Sequence, residues 1–256
     1  MLRWRVATAL LLAPVVLGAI LLGQWTVLVV VIAVVSLAAY ELSQALNPLP
    51  FAAALGAGMF PVLLSIPFGV GGILGGAVLA LPWALFWLAG RTEARTLRAL
   101  LALLLMALWV GAPMALLIPV VRAEDGVILI LIAVVGPWIS DSGAYFAGRL
   151  FGRHSMFPSL SPKKTVEGGL GGLALTMAAV MIVGHYLLDL SLLPAALAGA
   201  AVSAFAQSGD LFESLLKRMM EIKDLGNTLP GHGGILDRID SMLFTAPAVY
   251  YVFLLI

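Results

Sequence analysis

The sequence contains no cysteine, only three histidines and little charge: 11% of its 256 residues are Asp, Glu, Lys or Arg. Without cysteine there are no disulfides and no thiolate chemistry, and the redox compartment is left open. A Cys/His zinc site is disfavoured as well, because His154, His185 and His232 have no ligand-like spacing. The chain has no G-x-x-x-x-G-K-[ST] phosphate loop and no G-x-S-x-G nucleophile elbow. Internal repeats and low-complexity tracts are also missing. The net charge of +1 gives no reason to expect a nucleic-acid partner, and the placement of the charges is more informative than their sum.

What the chain has in abundance is apolar sequence. Hydrophobic residues make up 62% of it, the mean hydropathy is +1.10, and apolar stretches near twenty residues recur throughout. A membrane β-barrel would show short alternating segments instead. The expected fold is an all-α polytopic membrane protein with about nine transmembrane helices, near residues 5–23, 25–46, 50–67, 70–90, 99–121, 126–148, 168–188, 192–216 and 239–256. The N-terminal apolar run follows Arg3 and Arg5 but has no clear A-x-A cleavage site, so it reads as a retained first span. With the N-terminus cytoplasmic, thirteen of the fourteen basic residues fall inside and only Arg122 outside, as the positive-inside rule requires.

The chain also divides by content. Residues 1–125 form N-terminal spans suited to packing or oligomerisation, with small-residue pairs Gly71/Gly75 and Gly72/Gly76 that let helices approach closely. Their one buried charge is Glu41, best read as reaching headgroup water at the cytoplasmic end of span two. Residues 126–256 form the expected catalytic region, with cytoplasmic loops at 149–167 and 217–238.

In span eight, Ser203, Gln207, Asp210, Ser214, Lys217, Glu221 and Asp224 recur at alternating spacings of four and three, which places them along one helical face with Glu213 beside it. Such a stripe cannot face lipid, where an ionised group costs several kcal/mol, so it faces the bundle interior or a wet cavity. Span six repeats the pattern with Trp138, Asp141, Tyr145 and Arg149. The alternative is that Asp141 and Asp210 only pair with neighbouring basic residues.

Two loops complete the cluster. In "SPKKTVEGGLGG", Ser161, Lys163, Lys164 and Thr165 lie beside glycines; adjacent lysines, hydroxyls and unhindered backbone N–H groups suit a phosphate chain. Juxtamembrane lysines are, however, expected from topology alone. In "KDLGNTLPGHGGILDRIDS", Gly231, Gly233 and Gly234 around His232 let backbone approach a ligand where a side chain would clash. His232 suits an acid/base role, phosphate donation or loop stabilisation, and its position does not choose among them. Carboxylates on two helices among lysines and glycines fit Mg²⁺-assisted chemistry on phosphate, since hard cations take oxygen ligands.

Residues 214–241 carry a resemblance. Ser214, Lys217, Arg218, Lys223, Asp224, Gly226, Pro230, Gly231, His232, Gly233, Gly234, Asp237, Arg238 and Asp240 match an S-x-x-K-R…K-D…P-G-H-G-G-x-x-D-R-x-D pattern. That pattern is similar to the signature of the phosphatidate cytidylyltransferase, or CDP-diacylglycerol synthase, family. "SDSGAYFAGRLFGRH", "SPKKTVEGGLGG" and "SGDLFESLLKR" resemble family segments too, with Ser142 where Thr is frequent and Arg153 where Lys is. The match covers roughly residues 136–241; the first five spans fit only in hydropathy. The D-G-x-x-A-R run of the CDP-alcohol phosphotransferases is absent.

The resemblance implies transfer of CMP from CTP to phosphatidate, giving CDP-diacylglycerol and pyrophosphate in phospholipid biosynthesis. It implies a divalent-metal site, Mg²⁺ at Asp210 and Asp237, with room for a second, monovalent cation. Lys217, Lys223 and His232 join these two as catalytic candidates. Asp141, Ser161, Lys163, Lys164, Glu213, Arg218, Asp224, Gly231, Gly233, Gly234 and Arg238 are the substrate-binding candidates. The expected location is the bacterial cytoplasmic membrane with the site facing the cytoplasm, and a homodimer is plausible.

Overall fold

Pro67 and Gly69 set the course of the first part of the chain. In the computed structural model, which describes residues 14–46, 49–90, 94–228 and 233–255, Gly69 interrupts an otherwise helical run with φ 57° and ψ −135°. Only glycine adopts that conformation without strain. The run is α3 (Phe51–Leu88), and its second half folds back on its first. Trp83 Nε1 donates to the carbonyl of Ala53 at 2.9 Å, and Gly76 lies against the backbone of Phe60 and Pro61. The two halves occupy the places of the third and fourth expected spans.

Before α3 come α1 (residues 14–22) and α2 (Gln24–Ala45); after it come α4 (Ala94–Leu105), a π-helical turn (Met106–Gly111) and α5 (Ala112–Val121). The π-turn has a local cause: Pro113 has no N–H to give the turn before it, so a carbonyl there loses its α-helical partner. The continuous Thr96–Val121 segment is 72% buried over its apolar window, more than any other candidate span among the described residues, and it is the centre of its unit. Gly58 and Gly111 meet there with no side chain between the backbones of α3 and the π-turn.

These helices form one compact unit, residues 1–124, together with residues 224–239. The second unit holds residues 125–223 and 240–256. It contains α6 (Gly126–Phe151), a hairpin of β1 (Ser155–Phe157) and β2 (Ser161–Thr165), α7 (Val166–Leu187) and α8 (Leu192–Met219). The last helix, α9 (Leu236–Leu255), begins in the first unit and from Asp240 runs in the second.

The core of the second unit is Ile132, Ala133, Val180, Ala198, Val202 and Val249, from all four of its helices. Buried polar groups are paired across it, as a lipid environment demands. Ser140 and Ser203 hydroxyls lie 2.9 Å apart between α6 and α8, and Thr245 donates to the carbonyl of Ala133 at 2.7 Å. Glycines let α6 and α7 close on one another: Gly168, Gly171 and Gly172 face Ser140, Gly143, Ala144 and Ala147. These are among the glycines that the sequence offered as a phosphate-binding feature; Gly171 and Gly172 pack helix on helix, while Gly168 both packs against α6 and lines the cavity described below.

Six helices among the described residues are long and apolar enough to cross a membrane: α2, α3, Thr96–Val121, α6, α7 and α8. The chain is therefore an all-α polytopic membrane protein, its only strands among the described residues being the short hairpin. Residues 5–13 of the first expected span, with Arg3 and Arg5, lie outside the described residues, as do Arg91, Gly231 and His232.

Candidate active site

The hairpin between α6 and α7 decides where two lysines go. Ser155 pairs with Thr165 and Phe157 with Ser161, so Pro162, Lys163 and Lys164 together oppose Met156 alone. Adjacent residues of a regular strand point to opposite faces. The bulge removes that constraint, and Lys163 and Lys164 both line the same cavity. Glu167 ties the base of the hairpin: its carboxylate accepts the N–H groups of Arg153 (3.1 Å) and His154 (3.3 Å), and His154 Nδ1 lies 2.6 Å from Oε1. Thr165 caps α7 by accepting the N–H of Gly168 at 3.1 Å.

The cavity encloses about 400 Å³, within the range of small-molecule sites. Its polar lining is Asp141, Tyr145 and Arg149 from α6, Lys163, Lys164 and Thr165 from the hairpin, and Gln207 from α8. Tyr145 and Arg149 are joined by a 2.8 Å hydrogen bond, one turn apart on the face anticipated for span six. Gln207 Nε2 donates to Ser203 Oγ (3.1 Å) and to the carbonyl of Gly169 (3.2 Å), so the polar stripe of α8 is held inward from the Ser140–Ser203 pair up to the cavity.

One turn further along α8 the stripe becomes acidic. Asp210 forms an ion pair with Lys164, and Glu213, 2% exposed, pairs with Lys217 at 2.7 Å. Asp240, on α9, joins them: Asp210, Glu213 and Asp240 each bring an oxygen within 4.8 Å of the others. Gly209 makes this convergence possible, because α8 meets the backbone of Asp240 and Ser241 where a Cβ would not fit. An all-oxygen donor set of this kind has the chemistry a hard divalent cation takes, and Lys164 and Lys217 offset part of its charge.

The remaining sequence candidates are distributed as follows. Ser161 opens β2, half-buried, and Arg218 and Lys223 are exposed at and beyond the end of α8. α8 ends at Met219, and Glu221 turns the chain with φ 55°; Glu221 and Asp224 therefore leave the helical face on which their spacing had placed them. Asp224, Gly233, Gly234, Asp237 and Arg238 belong to the first unit. There Asp237 accepts the N–H of Gly234 at 2.8 Å and that of Leu225 at 3.3 Å, a capping arrangement at the start of α9.

Two residues were not among the sequence candidates. Asp240 was visible as part of the signature, but nothing in its spacing tied it to Asp210. Glu41 does not reach headgroup water: it is 1% exposed and its carboxylate accepts from Thr228 Oγ1 and from the N–H groups of Ile235 (2.7 Å) and Leu236 (3.0 Å). The close approach that Gly226 and Gly234 allow is to this carboxylate.

Comparison with known proteins places the chain in a family. Residues 3–256 match the family model described as the cytidylyltransferase family. The phosphatidate cytidylyltransferase of Bacillus subtilis (strain 168) is 45% identical over 138 residues, 50% of this chain and 48% of that protein. That of Staphylococcus haemolyticus (strain JCSC1435) is 43% identical over 125 residues, 48% of each chain. An uncharacterized protein, YnbB, of Escherichia coli (strain K12) is 40% identical over 136 residues, 53% of this chain and 46% of that one. The chain thus spans about half the length of the curated relatives it matches. With a family match that runs almost from end to end, this chain belongs to the cytidylyltransferase family.

Proposed function

We propose that the chain transfers the cytidylyl group of CTP to phosphatidate, giving CDP-diacylglycerol and pyrophosphate. The observation that carries this reading is the Lys164–Asp210 ion pair beside a polar cavity that also takes in Asp141, Arg149 and Lys163. The names of the Bacillus and Staphylococcus relatives support it.

In the proposed reaction an oxygen of the lipid phosphate attacks the α-phosphorus of CTP in line. The bond from that phosphorus to the β-bridging oxygen breaks, and the electron pair leaves with pyrophosphate. No strong base is needed, because the lipid phosphate is already an anion near neutral pH. The difficulty is electrostatic: two anions must meet, and charge builds on the leaving group. Fixed cations and oriented N–H groups lower that barrier by position. Lys163, Lys164 and Arg149 would hold triphosphate oxygens, and the N-terminus of α7, where Thr165 and Gly168 line the same cavity, adds the positive end of a helix. Asp141 and Gln207 would orient the lysines and the nucleotide.

Asp210, Glu213 and Asp240 would hold Mg²⁺, which when bound supplies charge neutralisation at phosphate oxygens. Lys217, Arg218 and Lys223 are proposed as further phosphate-binding groups. The signature residues of the first unit, among them Asp224, Asp237 and Arg238, are proposed to serve the same reaction. We assign packing and oligomerisation to residues 1–125 and catalysis to 126–256, in a homodimer of the bacterial cytoplasmic membrane with the site facing the cytoplasm.

The test is product analysis with purified protein in phosphatidate-containing micelles. Pyrophosphate release that requires phosphatidate, matches CDP-diacylglycerol formation and stops with EDTA is the expected result. Soluble CDP would identify a lipid kinase instead, and substrate flux with no nucleotide turnover would identify a transporter.

A further inference from the structure

Between Arg5 and Arg91 the chain has a single charged residue, Glu41. A lone carboxylate in so long an apolar stretch needs compensation, because burying an ion without partners is prohibitively unfavourable. Its partners come from the far end of the sequence. Oε1 takes the hydroxyl of Thr228 and the N–H of Ile235 at 2.7 Å; Oε2 takes the N–H of Leu236 at 3.0 Å. All three are donors, as an ionised carboxylate requires. Ile235 and Leu236 stand at the start of α9, where helical N–H groups lack intrahelical acceptors.

The fit is steric as well as polar. A Cβ on Gly234 would lie 2.5 Å from Glu41 Oε2 and 2.8 Å from its Cδ, and one on Gly226 would lie 2.6 Å from Oε1. Glycines of the signature segment thus make room for a side chain of α2. From the other side Asp237 takes the N–H groups of Gly234 and Leu225. Two carboxylates between them hold four backbone N–H groups of residues 225–236, one of the carboxylates lying almost two hundred residues away in sequence.

We propose that Glu41 is a positioning residue for cytidylyl transfer: it fixes Thr228, Gly234 and the first turn of α9, and through them Asp237 and Arg238. This rests on the functional reading above. Glu41→Gln keeps the size of the side chain but turns an amide N–H₂ toward backbone donors, so at least one bond is lost.

The experiment combines hydrogen exchange of the 256-residue chain in micelles with steady-state kinetics per folded molecule. For Glu41→Gln the expected result is at least about tenfold faster exchange in peptides covering 224–238, with other peptides unchanged. A fall in kcat of about tenfold or more should accompany it, with KM for CTP within about twofold. Unchanged exchange in 224–238 overturns the proposal. Faster exchange with unchanged kcat overturns it equally, since the anchor would then hold a segment the reaction does not use. Thr228→Val removes one donor and keeps the shape; it covers the case in which the Glu41 variant does not fold, and should move both readouts in the same direction by less. If the unaltered chain transfers no cytidylyl group, the functional reading falls, and the exchange result alone decides whether Glu41 holds the segment.

Discussion

Replacing Gly143 by alanine should push α6 and α7 apart, and the structure sets the size of the effect. A Cβ at Gly143 would lie 2.7 Å from the carbonyl oxygen of Gly171, 3.0 Å from Gly172 Cα and 3.0 Å from Leu175 Cβ. The first is about 0.7 Å inside the 3.4 Å at which ordinary contact begins, and none of the three atoms is the end of a flexible side chain. The helices themselves must move. Overpacking of this kind costs about 1–3 kcal/mol, which lowers the folded-to-unfolded ratio by roughly 5- to 150-fold.

The same displacement reaches the chemistry. Asp141 is two residues from Gly143, and the hairpin with Lys163 and Lys164 leads directly into α7. A misplacement near 1 Å can cost on the order of a hundredfold in rate. The assay is reversible unfolding in mixed micelles followed by tryptophan fluorescence, paired with CTP turnover below both unfolding midpoints. Gly75→Ala is the control: nothing lies within 4 Å of its Cβ, and alanine favours the helix by about 1 kcal/mol. Gly143→Ala behaving like Gly75→Ala in both measurements would refute the close packing of α6 on α7.

Two further outcomes are expected. Lys164→Met should change stability by less than about 1 kcal/mol, because the pair with Asp210 is roughly a third exposed on both sides, yet lower turnover by about a hundredfold or more; thermal unfolding and initial rates on one preparation separate the two effects. Asp240→Asn should raise the Mg²⁺ concentration for half-maximal activity by about tenfold, in keeping with loss of one of three oxygen donors, and an unchanged Mg²⁺ titration would remove Asp240 from the metal-binding set.

Much of the second unit was legible because a membrane restricts where polar side chains go. Ser203, Gln207 and Asp210 had to face inward, and their spacing named the face that now carries the Ser140–Ser203 pair and the cavity. The stripe was traced too far, into Glu221 and Asp224, because the Met-Met-Glu-Ile-Lys run has good helix propensity and no glycine or proline marks the break; a left-handed Glu221 ends the helix instead. The glycines after Lys164 were ambiguous for a related reason. Glycine serves close helix packing and phosphate approach alike, and only the position of α6 opposite Gly171 and Gly172 shows that these two pack, while Gly168 also reaches the cavity. Likewise, no local pattern joins Glu41 to Ile235 and Leu236, since that pairing is made by tertiary structure alone. Asp240 escaped notice as a partner of Asp210 because their meeting depends on Gly209, a residue with no charge to draw attention to it.

If the α-phosphorus of CTP passes to a lipid phosphate at this site, following that atom through the reaction reveals it. Purified protein would be given phosphatidate, Mg²⁺ and CTP labelled at the α-phosphorus in one reaction and at the γ-phosphorus in a parallel one. The α label should enter the lipid phase while the γ label is recovered entirely in pyrophosphate, and Lys164→Met should lower both the lipid labelling and the pyrophosphate release by about a hundredfold or more. Recovery of the γ label in lipid, with the α label left in soluble CDP, would contradict cytidylyl transfer.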